Sequence, residues 1–173
     1  MPNIEIKAPY QDLTRARETC LRLGARHHGL DRQIDTYFAV PNGRFKLRES
    51  SLSGPYLIPN LRSDVASAKK SDYTLIPVKN ASETKRLFSE LLGVDAVVSK
   101  TREIYFYENV RIHLDDVDGA GLFFELEAVY ENDTEEQRRL ETAKVHRLMR
   151  EFDIDPSMLN AVSYQQLTKD GSL

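Results

Sequence analysis

Five segments of this chain repeat one device: apolar and charged residues alternate, and the charges of each segment fall on one side. Successive side chains of a β-strand point to opposite faces, so residues two apart share a face. In Ile4-Glu5-Ile6-Lys7 one face carries the isoleucines and the other carries Glu5 and Lys7. Phe45-Lys46-Leu47-Arg48 pairs Lys46 with Arg48, and Val98-Ser99-Lys100-Thr101-Arg102 pairs Lys100 with Arg102. Arg111-Ile112-His113-Leu114-Asp115 aligns Arg111, His113 and Asp115, and Phe124-Glu125-Leu126-Glu127 aligns Glu125 and Glu127. A half-solvated antiparallel sheet produces alternation of this kind by itself. The distribution of sign departs from that: the middle segments put basic pairs on the polar face, and the first and last supply acids.

Two like charges about 6 Å apart repel by roughly 3 kcal/mol at an effective dielectric near 20. Cations converging from several strands therefore need an anion. A polyphosphate suits Arg forks and Lys ammonium groups, and clustered Glu oxygens suit a hard cation such as Mg²⁺ or Mn²⁺. A metal bridging carboxylate and phosphate would let both charge types share one cavity.

Around these segments the chain reads as eight strands and three helices. The strands are expected at Asn3–Ala8, Gln33–Val40, Arg44–Ser50, Tyr56–Arg62, Tyr73–Lys79, Val97–Tyr107, Asn109–Asp115 and Leu122–Tyr130. Asn42-Gly43 is a tight-hairpin signal, and Glu108-Asn109 and Asp118-Gly119 are weaker turn signals. Helices are expected at Asp12–Leu23, Ser82–Leu92 and Thr134–Phe152, the last opening on the capping pattern Thr134-x-x-Gln137. Residues Arg62–Lys70 read as a polar loop and Lys169–Leu173 as a frayed tail. The expected fold is mainly β, of the α+β class: a closed antiparallel eight-stranded β-barrel with flanking helices, in one domain over residues 1–173.

With 24 basic and 27 acidic residues the net charge is −3, which is not the composition of a general nucleic-acid binder. No apolar run reaches the roughly 18–20 residues of a membrane helix. The opening MPNIEIKAPY lacks the layout of a secretory signal, and the single cysteine, Cys20, has no internal disulfide partner. These features lead to the expectation of a cytoplasmic protein.

The segments NIEIKA, QIDTYF, NGRFKLRE, LIPNLRSD, KKSDY, RIHLDDVDGAGLFFELE and SYQQL, in this order and spacing, resemble the CYTH or triphosphate tunnel metalloenzyme family, in the branch of class IV adenylate cyclase. The resemblance implies a tunnel whose Arg and Lys hold a triphosphate and whose Glu residues hold one or two metals, Mg²⁺ or Mn²⁺. Glu5 and Lys7 match the end of the family's Glu-x-Glu-x-Lys opening and are the implied catalytic residues. Lys46, Arg48, Arg62, Lys69, Lys100, Arg102 and Arg111 match its phosphate-binding positions. Glu5, Glu125, Glu127 and Asp115 are the implied metal ligands. Asn3 replaces the first Glu of the opening, keeping an oxygen but losing a charge. Asn3, His113, Asp35 and Tyr37 are further candidates. The implied partner is a small-molecule triphosphate (ATP, tripolyphosphate or thiamine triphosphate), without nucleic acid or membrane, and a homodimer is compatible with it.

Three activities share these residues. The first is cyclisation of ATP to 3′,5′-cyclic AMP and pyrophosphate, which the closest resemblance favours. The second is hydrolysis of a triphosphate, and the third is binding without turnover. Lys7 is expected to serve either as a general base or as a charged phosphate contact. His27-His28 is expected in a solvated loop after the first helix, and Cys20 in the core.

Overall fold

The alternation becomes a sheet with two differently used faces. The computed structural model describes residues 2–60 and 74–159. Along the chain run β1 (Asn3–Pro9), α1 (Leu13–Arg22), β2 (Arg26–Phe38), β3 (Arg44–Ser50), β4 (Gly54–Asn60), β5 (Ile76–Pro77), α2 (Ala81–Leu92), β6 (Val94–Tyr107), β7 (Val110–Val117), β8 (Gly121–Val129) and α3 (Glu135–Glu151). Every strand pair is antiparallel, in the order β1-β8-β7-β6-β2-β3-β4-β5.

The expected closed barrel is not formed by these ladders. β1 and β5 end the order, and no hydrogen-bonded pairing joins them among the described residues. The edge at β5 is poor for pairing: it has two residues, and Pro77 has no N–H to donate. A longer strand, Tyr73–Lys79, was expected there, and Tyr73 itself lies outside the described residues. The expected Arg62–Lys70 loop and the C-terminal tail also lie outside them.

The apolar face of β1, β7 and β8 carries Ile4, Ile6, Ala8, Ile112, Leu114, Phe124, Leu126 and Ala128. Against it pack Ala16 and Cys20 of α1 and Val145, Leu148 and Met149 of α3, with Phe152 at the end of that helix. Burying one Leu or Phe of this kind contributes about 1.5–3 kcal/mol. Cys20 is in this core, as expected. Burial pushes its thiol up to about 12. α3 starts where the capping pattern puts it, with Thr134 Oγ1 accepting from Gln137 N at 3.2 Å. α2 lies over a different part of the sheet, where Phe88 meets Phe38 and Phe45 at ring distances of 5.5 and 5.1 Å. No helix among the described residues is long and apolar enough to cross a membrane.

β2 begins seven residues earlier than expected, at Arg26 instead of Gln33. His27 and His28 are therefore strand residues and not loop residues. The N-terminal half of β2 has only one large apolar residue, Leu30, so its sequence has no apolar stripe to read. It is a strand because it pairs with the long β6, from Arg26↔Phe106 onward, through a register shift between His27 and Gly29.

Candidate active site

The charged face of the sheet looks inward. A cavity of about 450 Å³ is lined by residues of β1, β2, β3, β4, β6, β7 and β8. In a flat sheet β1 and β4 would stand six strand spacings apart, roughly 30 Å. Lining one cavity of this size requires the sheet to curl upon itself.

Register places the sequence-marked residues side by side. Glu5 faces Glu127 and Lys7 faces Glu125 across β1 and β8. Arg111 faces Glu127 and His113 faces Glu125 across β7 and β8. Arg102 faces Asp115 on β7 and Asp31 on β2. Asp35 faces Arg48, and Tyr37 faces Lys46. Glu5, Lys7, Lys46, Arg48, Lys100, Arg102, Arg111, His113, Glu125, Glu127 and Tyr37 all line the cavity. Arg62 and Lys69 lie outside the described residues.

The repulsion expected among the cations is offset from within the protein. Lys7 Nζ lies 3.0 Å from Glu125 Oε1. Arg102 Nη2 donates to Glu125 Oε2 at 2.6 Å, and Arg102 also grips Asp115 through Nε at 2.7 Å and Nη2 at 2.5 Å. Lys100 Nζ is 3.5 Å from Asp115 Oδ2. Arg111 Nη1 donates to Glu127 Oε2 at 3.0 Å. Asp35 accepts from Lys46 and from both arms of Arg48. Asp35 and Asp115 are completely enclosed and stand behind these cations as their counter-ions.

These pairings set the protonation states. Burial alone would raise the Glu125 carboxyl, but Arg102 and Lys7 outweigh it and hold it well below the carboxylate range. Burial is likewise overcome at Asp115 by Arg102 and Lys100, which bring it down to about 2. Arg48 and Lys46 overcome burial at Asp35, which stays ionised. For the lysines burial and like charge act together. Burial and Arg48 bring Lys46 down to about 7, and burial and Arg102 bring Lys100 down to about 8. Burial and Arg102 lower His113, whose Nδ1 is 3.4 Å from Glu125 Oε2, and favour its neutral imidazole.

At the rim, Glu5 sits beside Glu127, and Asn3 Nδ2 donates to Glu127 Oε1 at 2.7 Å. The amide oxygen of Asn3, Oδ1, is buried without a hydrogen-bond partner. Two carboxylates and an unsatisfied amide oxygen are hard donors, so this corner fits Mg²⁺ or Mn²⁺ in chemistry. Among the described residues no group of three or more His, Cys, Asp or Glu could hold a metal alone. Mg²⁺ commonly binds through one or two carboxylates together with substrate phosphates, so a partial protein shell is compatible with it.

Several lining residues were not singled out in the sequence. Arg44 shares the face of Lys46 and Arg48, two residues earlier, and lines the cavity with them. Asp31, Gln33 and His28 extend the face of Asp35 and Tyr37 backward along β2. Gln33 opens the expected strand on the face of Asp35 and Tyr37, whereas Asp31 lies two residues before its expected start, in the part of β2 that has no apolar stripe. Tyr56, Leu52 and Phe106 carry no charge and gave no signal.

A CYTH domain family model matches residues 1–155. The protein named "Putative adenylate cyclase MJ0240" from Methanocaldococcus jannaschii is 25% identical over 96% of this chain and 98% of its own length. The PH1012 protein of Pyrococcus horikoshii has a similar structure, with a TM-score of 0.83 and 23% identity, covering 96% of this chain and 99% of that one. HpAC1 from Hippeastrum, whose structure is described as revealing a dominant triphosphatase activity, has a TM-score of 0.65 and 14% identity over 100% of this chain and 97% of its own.

Proposed function

Because the chain belongs to the CYTH domain family, we propose that it is a metal-dependent enzyme that binds a triphosphate in the curled sheet and cleaves it. The favoured reaction is cyclisation of ATP to 3′,5′-cyclic AMP with release of pyrophosphate. The observation that carries the reading is the convergence of Lys7, Lys46, Arg48, Lys100, Arg102 and Arg111 from four strands on one cavity of about 450 Å³. Each cation is pre-oriented by a carboxylate, so little side-chain freedom is left to lose when phosphate oxygens arrive. Around the bound substrate the proposed tunnel is closed as a barrel, with Arg62 and Lys69 as further phosphate contacts.

Glu5, Glu127 and Asn3 would hold Mg²⁺ or Mn²⁺ at the rim, with Glu125 next to them in the cavity. When bound, the metal would neutralise phosphate charge and polarise the scissile bond. Lys100, Arg102 and Arg111 draw the phosphates in and balance the charge that develops on the leaving oxygens. Asp115 keeps Arg102 and Lys100 aimed, and Asp35 does the same for Arg48 and Lys46.

Hydrolysis is the second reading. HpAC1, a structural relative described as revealing a dominant triphosphatase activity, supports it. Incubation with ATP, tripolyphosphate and thiamine triphosphate under Mg²⁺ and Mn²⁺, with product separation, tests both. Cyclic AMP with pyrophosphate supports cyclisation and free phosphate supports hydrolysis. Absence of turnover on all three overturns the enzyme reading.

A further inference from the structure

Part of the sheet face turned away from the cavity is left bare by the helices. α1 and α3 pack on β1, β7 and β8, and α2 meets β2 and β3 through Phe88. Gln33 and Tyr37 line the cavity, so Arg32 and Ile34 of β2 point outward. Arg32 pairs in register with Thr101 of β6, and Ile34 with Ser99. A groove of about 550 Å³ lies here, lined by Arg32, Ile34, Ser99, Thr101, Asp118 and Ala81 at the start of α2.

Apolar carbon is exposed beside this groove. Ile34 is 41% exposed, Val97 48%, and Leu91 near the end of α2 68%. Leu92 and Val94, between Leu91 and Val97 in sequence, are exposed as well. Together these five residues expose on the order of 400 Å², a size at which a patch on a monomer is often functional. An interface of standard size buries about 800 Å² on each partner. Arg32, Ser99, Thr101 and Asp116 supply polar area next to the strip.

The charges of that polar row are self-complementary. Thr101 of β6 pairs with Arg32 on one side and with Asp116 of β7 on the other. Arg32 and Asp116 therefore stand on one face, two strand spacings or about 10 Å apart. Both are exposed, and neither joins an ion pair among the described residues. A two-fold axis lying along β6 between two facing copies exchanges the β2 side with the β7 side. It sets Arg32 of each copy against Asp116 of the other and brings Val97 against its own copy. An unrelated partner would have to supply this pattern, whereas a second copy already carries it.

We propose that the outer face of β2, β6 and β7 is the docking surface for a second copy of this chain. Sedimentation of the whole chain over a range of concentrations tests it, and the unaltered protein is expected to be a dimer. Arg32→Glu and Asp116→Arg each bring like charges together twice in the dimer, and each should weaken it about tenfold or more. Combined in one chain they restore opposite charges and should regain most of that loss. Val97→Asp, at an exposed position on the axis, should also dissociate the dimer. Melting curves of the variants check that the fold is kept. A dimer that survives both Arg32→Glu and Val97→Asp overturns this face as its interface. Failure of the combined variant to recover overturns the two-fold arrangement. A protein that stays monomeric at about 100 µM overturns the second copy as occupant and leaves the face to a different partner.

Discussion

Asp35 holds Arg48 by two hydrogen bonds side by side, from Nε to Oδ1 at 2.7 Å and from Nη2 to Oδ2 at 2.6 Å. The same carboxylate accepts from Lys46 Nζ at 2.6 Å, and Asp35 is only 1% exposed. One buried anion thus restrains two cations that face the cavity. Removing one partner of a buried pair costs about 3–5 kcal/mol, because the remaining charge is left uncompensated. Asp35→Asn is therefore expected to lower unfolding stability by that order. Tripolyphosphate should recover part of the loss by supplying negative charge to Lys46 and Arg48. Urea unfolding with and without tripolyphosphate reads both effects, and a loss that ligand leaves untouched would separate Asp35 from the phosphate site.

Lys46 makes stability depend on pH. Its folded value, about 7, lies below the value of about 10.4 for a free lysine. Between these limits the unfolded chain binds more protons than the folded one, so this group makes stability rise as pH rises through the window. Lys46→Met should remove that slope. Urea midpoints at several pH values between 7 and 10, for both proteins, check the sign. A steeper rise in the variant would contradict it.

Lys7 can be separated from a proton-transfer role. Its Nζ lies 3.0 Å from Glu125 Oε1, as an ion pair requires. Arginine keeps the charge and cannot act as a base near neutral pH. Lys7→Arg is expected to bind triphosphate and to retain turnover within about tenfold. Single-turnover assays decide this, since loss of a general base would cost on the order of 10²–10⁴-fold.

Glu5 and Glu125 should respond differently to neutralisation. Glu125 joins Lys7, Arg102 and His113, whereas Glu5 lies at the rim beside Glu127. Glu5→Gln is expected to leave the melting temperature nearly unchanged and to raise the Mg²⁺ needed for half-maximal turnover by about tenfold or more. Glu125→Gln is expected to lower the melting temperature and to abolish turnover even at saturating Mg²⁺. A Mg²⁺ titration of activity, with melting curves of both variants, distinguishes the two roles.

Alternation made most of the sheet legible. Where apolar and charged residues strictly alternate, as in β1, β3, β7 and β8, strand and facing residues could be read together. The first half of β2 was missed because it is polar throughout except for Leu30, and only its partner β6 makes it a strand. The two-residue β5 was overextended, since nothing local marks where an edge strand stops pairing.

The sequence by itself determined that cations and carboxylates share one face of a mainly antiparallel sheet, because side-chain period in a strand is a local property. It could not say how those charges balance. That Lys46 and Arg48 share Asp35, while Arg102 joins Asp115 to Glu125, depends on the register between strands distant in the chain. Burial also comes only from the curl of the sheet. It brings Lys46 and Lys100 down to about 7 and about 8, and it sets Phe106 and His28 at one cavity with the cations.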